Sequence, residues 1–182
     1  MSPKSTLLET PRLRLRTFRD DDVDAFCEYR SHPDVARYQG WSAPVSREAG
    51  ASDIREYGGT DPSAPGWFMY AIEAKTSGLL IGEIGVHLHE NRMQADIGFT
   101  LAPAHQGMGL ATEALTATVD SYLARGLRRI SADCDARNIR SAALLERVGF
   151  RFEGLRKSNR HAKGEWVDEL FFGMVSECRK PT

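Results

Sequence analysis

The sequence predicts a mixed α/β domain built around a largely antiparallel sheet, and three observations carry that expectation. Extended runs at 67–74, 79–89 and 94–101 are separated by short turn-forming stretches. From Leu110 the spacing of apolar residues changes from two to between three and four. Extended and helical patterns then alternate through Val175.

Each element has a local cause. Arg12-Leu13-Arg14-Leu15-Arg16 alternates strictly, which predicts a first strand with the leucines inward and three arginines on the other face, which reads as a solvated face or as an anion site. Asp20-Asp21-Asp22 precedes Val23, Phe26, Tyr29 and Arg30, and carboxylates favour a helix start, so a first helix begins there. His32-Pro33-Asp34 breaks it, and Ser46 caps a second helix that runs to about Tyr57. Gly58 to Gly66 is rich in Gly, Pro and Asp and reads as a loop. Trp67 to Ala74, Leu79 to His89 and Gln94 to Leu101 form a meander, turned at Thr76-Ser77-Gly78 and Asn91-Arg92. Leu110, Ala111, Ala114, Leu115, Val119, Tyr122 and Leu123 mark an amphipathic helix ended by Gly126. A strand over Arg129 to Cys134 precedes a helix over Ser141 to Val148, with Gly149 as its C-terminal glycine. Phe150-Arg151-Phe152 opens a further strand, and Val167 to Val175 supplies the last.

Composition excludes several classes. Lys and Arg total 24 against 25 for Asp and Glu, and a net charge of -1 gives no reason to expect a nucleic acid partner. No apolar stretch is long enough to span a membrane, and the polar opening Met1 to Thr6 lacks the apolar segment of a secretory signal. Cys27, Cys134 and Cys178 are odd in number and far apart, which argues for a reducing compartment, so the cytoplasm is the expected location. No repeat or long linker divides the chain, which predicts one domain over residues 1–182. His87 and His89 share a strand face, but no ligand motif supports them; they read as a polar face, and no metal is expected.

The most informative stretch runs Leu101-Ala102-Pro103-Ala104-His105-Gln106-Gly107-Met108-Gly109-Leu110-Ala111-Thr112. A strand ends, a glycine-bearing loop follows, and a helix begins. Two glycines two apart let backbone N–H groups converge, and the helix start adds unpaired donors and the positive end of its dipole. The loop therefore reads either as an anion cradle or as a tight strand-to-helix turn. Gly-Lys-Ser/Thr is absent, and no third glycine completes a dinucleotide fingerprint.

Gln106-x-x-Gly109-x-Ala111 matches the Gln/Arg-x-x-Gly-x-Gly/Ala signature of GNAT acetyltransferases. Ala95 to Leu101 resembles their fourth strand, and Asn138-x-x-Ser141 with Glu146-Arg147-Val148-Gly149-Phe150 resembles the segment after their fifth. Thr10-Pro11-Arg12-Leu13-x-Leu15-Arg16 and Trp166-x-Asp168 followed by Leu170-Phe171-Phe172 resemble the RimJ/RimL-type branch. The likeness covers nearly the whole chain. It implies the GNAT fold, an α/β arrangement in which a mixed, mostly antiparallel sheet of about seven strands, splayed at its centre, is flanked by about four helices.

The same resemblance implies acetyl-CoA as donor, with CoA as product, and a primary amine as acceptor, either a protein N-terminus or a small-molecule amine. Phe99, Thr100 and Leu101 would flank the pantetheine arm, and a backbone N–H near Leu101 would polarise the acetyl carbonyl. Amides of Gln106, Gly107, Met108, Gly109, Leu110, Ala111 and Thr112 would hold the pyrophosphate. An ammonium has no lone pair, so a base must take a proton, directly or through water. Asp96 stands where several family members carry a catalytic glutamate. Glu83 lies in the otherwise apolar or small run Ile81-Gly82-Glu83-Ile84-Gly85, where an acid should be weakened. Each also reads as a polar residue on the open sheet face. The family tyrosine that protonates the thiolate is replaced by Leu145, so that role is not carried over; the resemblance to the RimJ/RimL-type branch, where the serine of Asn-x-x-Ser takes it, implies Ser141 as the candidate acid. Asn138 reads as a CoA contact or as a helix cap, and Ser141 as acid or as a first-turn residue. Trp41, Trp67, His161, Glu165 and Trp166 fall in regions that shape the acceptor site in this family, and each tryptophan reads as a pocket wall or as core packing. Homodimerisation is implied by likeness alone. A non-catalytic CoA-binding regulatory module is the alternative reading.

Overall fold

The computed structural model describes residues 6–178. β1 (Thr6–Glu9) and β2 (Leu13–Arg16) pair as an antiparallel hairpin. A 3-10 turn at Asp20–Asp22 leads into α1 (Val23–Ser31), α2 (Pro33–Ala36) and α3 (Arg47–Gly58). Ser46 caps α3 by accepting from the N–H of Ala49. β3 (Gly66–Ala74), β4 (Leu80–Leu88) and β5 (Gln94–Leu101) form the expected meander. α4 (Leu110–Ala124), β6 (Arg129–Asp135) and α5 (Ile139–Val148) follow, and the hairpin of β7 (Arg151–Ala162) and β8 (Glu165–Val175) completes the sheet. Gly149 ends α5 in the left-handed region, at φ 107°.

The strands lie in the order β1-β2-β3-β4-β5-β6-β8-β7. β5 and β6 are parallel, which requires a crossover, and α4 supplies it. Their pairing is short: Gln94, Ala95 and Asp96 lie opposite Arg129, Ile130 and Ser131. Beyond that the two strands part, so the sheet is splayed at its centre.

Alternation along the strands sorts residues onto two faces. Ala95, Ile97, Ile130 and Ala132 join Leu110, Ala114, Leu115 and Leu144 in a core under α4 and α5. Phe18, Val23, Phe26, Tyr29 and Ile54 pack over Ala71 and Leu80 on the face covered by α1 and α3. Burying each large apolar side chain contributes about 2 kcal/mol.

Among the described residues the sheet has eight strands and there are five α-helices, in keeping with the expected about seven and about four: β1 pairs onto β2, and His32 does more than break α1, its ring accepting from Asp34 N–H to cap the short α2. One expectation needs correction. The arginines of β2 do not share a solvated face. Arg16 is 1% exposed and holds Asp22 with two nitrogens at 2.7 and 2.8 Å and Glu73 at 2.7 Å. Arg14 reaches the same Glu73 from the paired position of the register. A charge needs a partner to be buried, and β3 and the 3-10 turn bring two.

Candidate active site

The loop after β5 is shaped by its two glycines. Gly107 and Gly109 both have φ of 75°, a left-handed conformation that a side chain disfavours. Gly109 is the N-cap of α4, so the unpaired first-turn N–H groups of that helix open from the loop. A Cβ placed on Gly107 would meet nothing within 4 Å, so space is free above the loop. Gln106 ties the loop back to the strand, its amide donating to the Leu101 carbonyl at 2.9 Å. Arg12 braces it from the other side. Its Nη1 donates to the Met108 carbonyl at 2.9 Å and its Nε to Glu113 at 2.6 Å. These features suit a pyrophosphate, which needs convergent N–H donors and a nearby positive charge.

Since β5 and β6 run parallel and each leads into a helix, the N-termini of α4 and α5 lie at the same end of the sheet, beside the gap. Asn138 is the N-cap of α5, and its Oδ1 accepts from the N–H of Ser141 at 3.2 Å. Its amide nitrogen makes no hydrogen bond among the described residues. The Ser141 hydroxyl makes no hydrogen bond among the described residues. Phe99 is half-buried against the core, Thr100 Oγ accepts from Gln39 at 3.3 Å, and Leu101 is buried.

The two carboxylates from the meander have different surroundings. Glu83 is 2% exposed; Arg30 Nη2 lies 2.6 Å from its Oε1, and Tyr29 donates to Oε2 at 2.9 Å. Arg30 in turn lies between the rings of Phe26 and Trp41, each centroid 4.2 Å away. The expected apolar surroundings therefore contain a buried cation. Burial pushes the Glu83 carboxyl up, against the pull of Arg30 and Tyr29.

Asp96 stands further along the same sheet face, its side chain 45% exposed. It pairs with His87 across β4, and its Oδ2 lies 2.8 Å from His89 Nε2 and 3.6 Å from His87 Nδ1. Cross-strand register thus adds a carboxylate to the histidine pair, whose three ligand atoms lie within 4.8 Å of one another. Trp67 stacks beside His87 at 5.1 Å. Asp96 also borders a groove of about 420 Å³ whose walls include Arg129, Asp133, Glu153, Leu155 and Phe171.

The aromatic residues expected near an acceptor are dispersed. Trp41 packs on Arg30 and donates to its carbonyl, Trp67 stands by His87, and His161 and Trp166 meet on the β7–β8 hairpin. Glu165 and Asp135 hold Arg137. The place of Asp133 beside the site carried no signal in the sequence, since it depends on strands far apart in the chain; Arg12 stood in the opening motif, but its contacts with the Met108 loop and Glu113 of α4 were not legible there.

Residues 12–151 match the model of the acetyltransferase (GNAT) domain. The chain belongs to the GNAT acetyltransferase family. It is similar to the uncharacterized N-acetyltransferase YoaA of Bacillus subtilis (strain 168), with 32% identity over 93% of this chain and 96% of the relative. It is 35% identical to the [ribosomal protein uS5]-alanine N-acetyltransferase of Escherichia coli (strain K12) over 44% of this chain and 42% of that one. Among solved structures, the GNAT-family acetyltransferase from Bacillus anthracis superposes with a TM-score of 0.84 at 26% identity, covering 93% of this chain and 98% of the other. The protein is therefore an acetyltransferase with acetyl-CoA as its donor, and the regulatory-module alternative falls away. Among the described residues no helix is long and apolar enough to cross a membrane.

Proposed function

We propose that this acetyltransferase, a single domain over the whole chain, transfers the acetyl group directly to a primary amine while both substrates are bound, with Asp96 as the general base. The observation that carries this reading is the placement of Asp96 at the last β5–β6 pair, on the open face, where the strands begin to part. Glu83 is the weaker candidate because both of its oxygens are already bonded and helices cover it.

Acetyl-CoA supplies an activated acyl group on sulfur. The loop amides from Gln106 to Thr112 bind its pyrophosphate, and Arg12 adds positive charge. Phe99, Thr100 and Leu101 flank the pantetheine arm, and Asn138 contributes its free amide. Asp96 takes one proton from the acceptor ammonium, and His89 at 2.8 Å helps to disperse it. The freed lone pair forms the N–C bond, the C–S bond breaks, and the electron pair leaves on sulfur. Ser141 protonates that sulfur, and the second proton on the new amide nitrogen passes through water to replace the one the serine gave up. A cysteine-borne acyl intermediate is disfavoured, since burial pushes the Cys134 thiol up to about 11 and keeps it protonated.

A protein N-terminus is the favoured acceptor, because a relative acts on the alanine of a ribosomal protein; a small-molecule amine is the other member of the class. The cytoplasm is the proposed location. The test is thiol release from acetyl-CoA with hexapeptides that begin with alanine or serine and with spermidine. Turnover should fall about 100-fold in Asp96→Asn, with acetyl-CoA affinity kept. Undiminished turnover in that variant would remove Asp96 from the mechanism.

A further inference from the structure

Asp133 stands where the sheet opens. Pairing of β6 with β5 stops at Ser131, and Asp133 is the next residue on that face. Across the gap lies Gly98, where an added Cβ would meet nothing within 4 Å. Asp133 lines the groove and solvent reaches it.

Its neighbours are already paired. Asp96 meets His89, Glu153 meets Arg129, and Glu169 on β8 is held by Arg160 and Asn159 from β7. Arg156 is stacked on the ring of Phe171 at 4.1 Å. Among the described residues the Asp133 carboxylate makes no hydrogen bond or ion pair. Crowding by the groove walls, then the Glu169 carboxylate and Asp96, push its acid up, while Arg160 and Arg156 oppose. Among the described acids of the groove Asp133 is the one left without a bonded partner, and an unpaired carboxylate favours a cation as ligand. Leu155 and Phe171 give the same groove an apolar wall, suited to a small side chain beside an amine.

We infer that Asp133 receives the ammonium group of the acceptor and holds its nitrogen at the β5–β6 gap, next to Asp96. This rests on the function proposed above. It assigns Asp133 to acceptor binding and leaves proton removal to Asp96, so the two residues separate in kinetics. It also restricts acceptors to amines that arrive as cations with one free face.

The experiment measures steady-state kinetics of wild type, Asp133→Asn and Asp133→Glu with alanine- and serine-initial hexapeptides and spermidine. Acetyl-CoA affinity is followed by calorimetry. In Asp133→Asn the KM of the best acceptor should rise about tenfold or more while kcat changes by less than about threefold. Acetyl-CoA affinity should not change, and Asp133→Glu should recover part of the KM. An acceptor KM within about twofold of wild type, or a loss confined to kcat, would overturn the assignment. A wild type that binds acetyl-CoA but acetylates none of these amines would overturn the proposed function, and the role of Asp133 with it.

Discussion

Arg12 and Glu113 join the first part of the chain to the start of α4, with Arg12 Nε 2.6 Å from Glu113 Oε2. The Arg12 backbone N–H donates to the other carboxylate oxygen at 2.9 Å, and Thr10 adds a third donor. Burial opposes ionisation of Glu113, but these bonds outweigh it and hold the carboxyl below the usual glutamate range. Since Arg12 also reaches the Met108 carbonyl, the pair fixes the loop proposed to bind the donor.

Arg12→Ala should therefore weaken acetyl-CoA binding about five- to tenfold, since one charge-assisted contact and the brace of the loop are lost together. Calorimetry on the folded variant checks this. An unchanged affinity would show that Arg12 neither meets the donor nor shapes its loop.

Glu83→Gln should act on stability. It keeps the volume but takes the nearer carboxylate from the buried guanidinium of Arg30 and leaves it only the more exposed Asp53 at 3.4 Å, which costs on the order of 3 kcal/mol. Denaturant unfolding reads that loss. Turnover per folded molecule should stay within about threefold of wild type. A selective collapse of kcat, at unchanged stability, would make Glu83 the base.

Much of this architecture was legible in the sequence because its causes are local. Turn residues delimited β3, β4 and β5, apolar spacing marked α4, and Gly149 ended α5. The Gly107–Gly109 pair was legible for the same reason, since a left-handed turn needs glycine wherever it falls. Relations between distant segments were not. Arg16 alternates like an exposed residue, and only the packing of Asp22 and Glu73 makes it a buried one. Asp96 and His89 are seven residues apart, and their contact depends on the register of β4 with β5. The role proposed for Asp133 depends on the separation of β5 and β6 beside it.

Acid should destabilise the protein through Glu73. Burial raises its pKa, but hydrogen bonds from Arg16 and Arg14 outweigh that and bring the carboxyl below the usual range. A carboxylate strengthened by folding stabilises the native state above its unfolded pKa and loses that contribution as pH falls through the folded one. Stability should hold near neutrality and decline below about pH 4.3. Glu73→Gln should show a shallower acid decline in unfolding titrations. An identical acid profile would place the titrating groups elsewhere.

Calorimetric titration with acetyl-CoA, with CoA and ATP in parallel, tests the donor site most directly when wild type is set beside Gly109→Val. Valine at φ of 75° is strained and projects a side chain beside Arg12 at the helix start, so circular dichroism should confirm that the variant is folded. Wild type should bind acetyl-CoA and CoA at micromolar concentrations and not ATP, and the folded variant should bind neither CoA form. Failure of wild type to bind either CoA form, or unchanged affinity in folded Gly109→Val, would contradict the assignment of the Gln106–Thr112 loop to the donor.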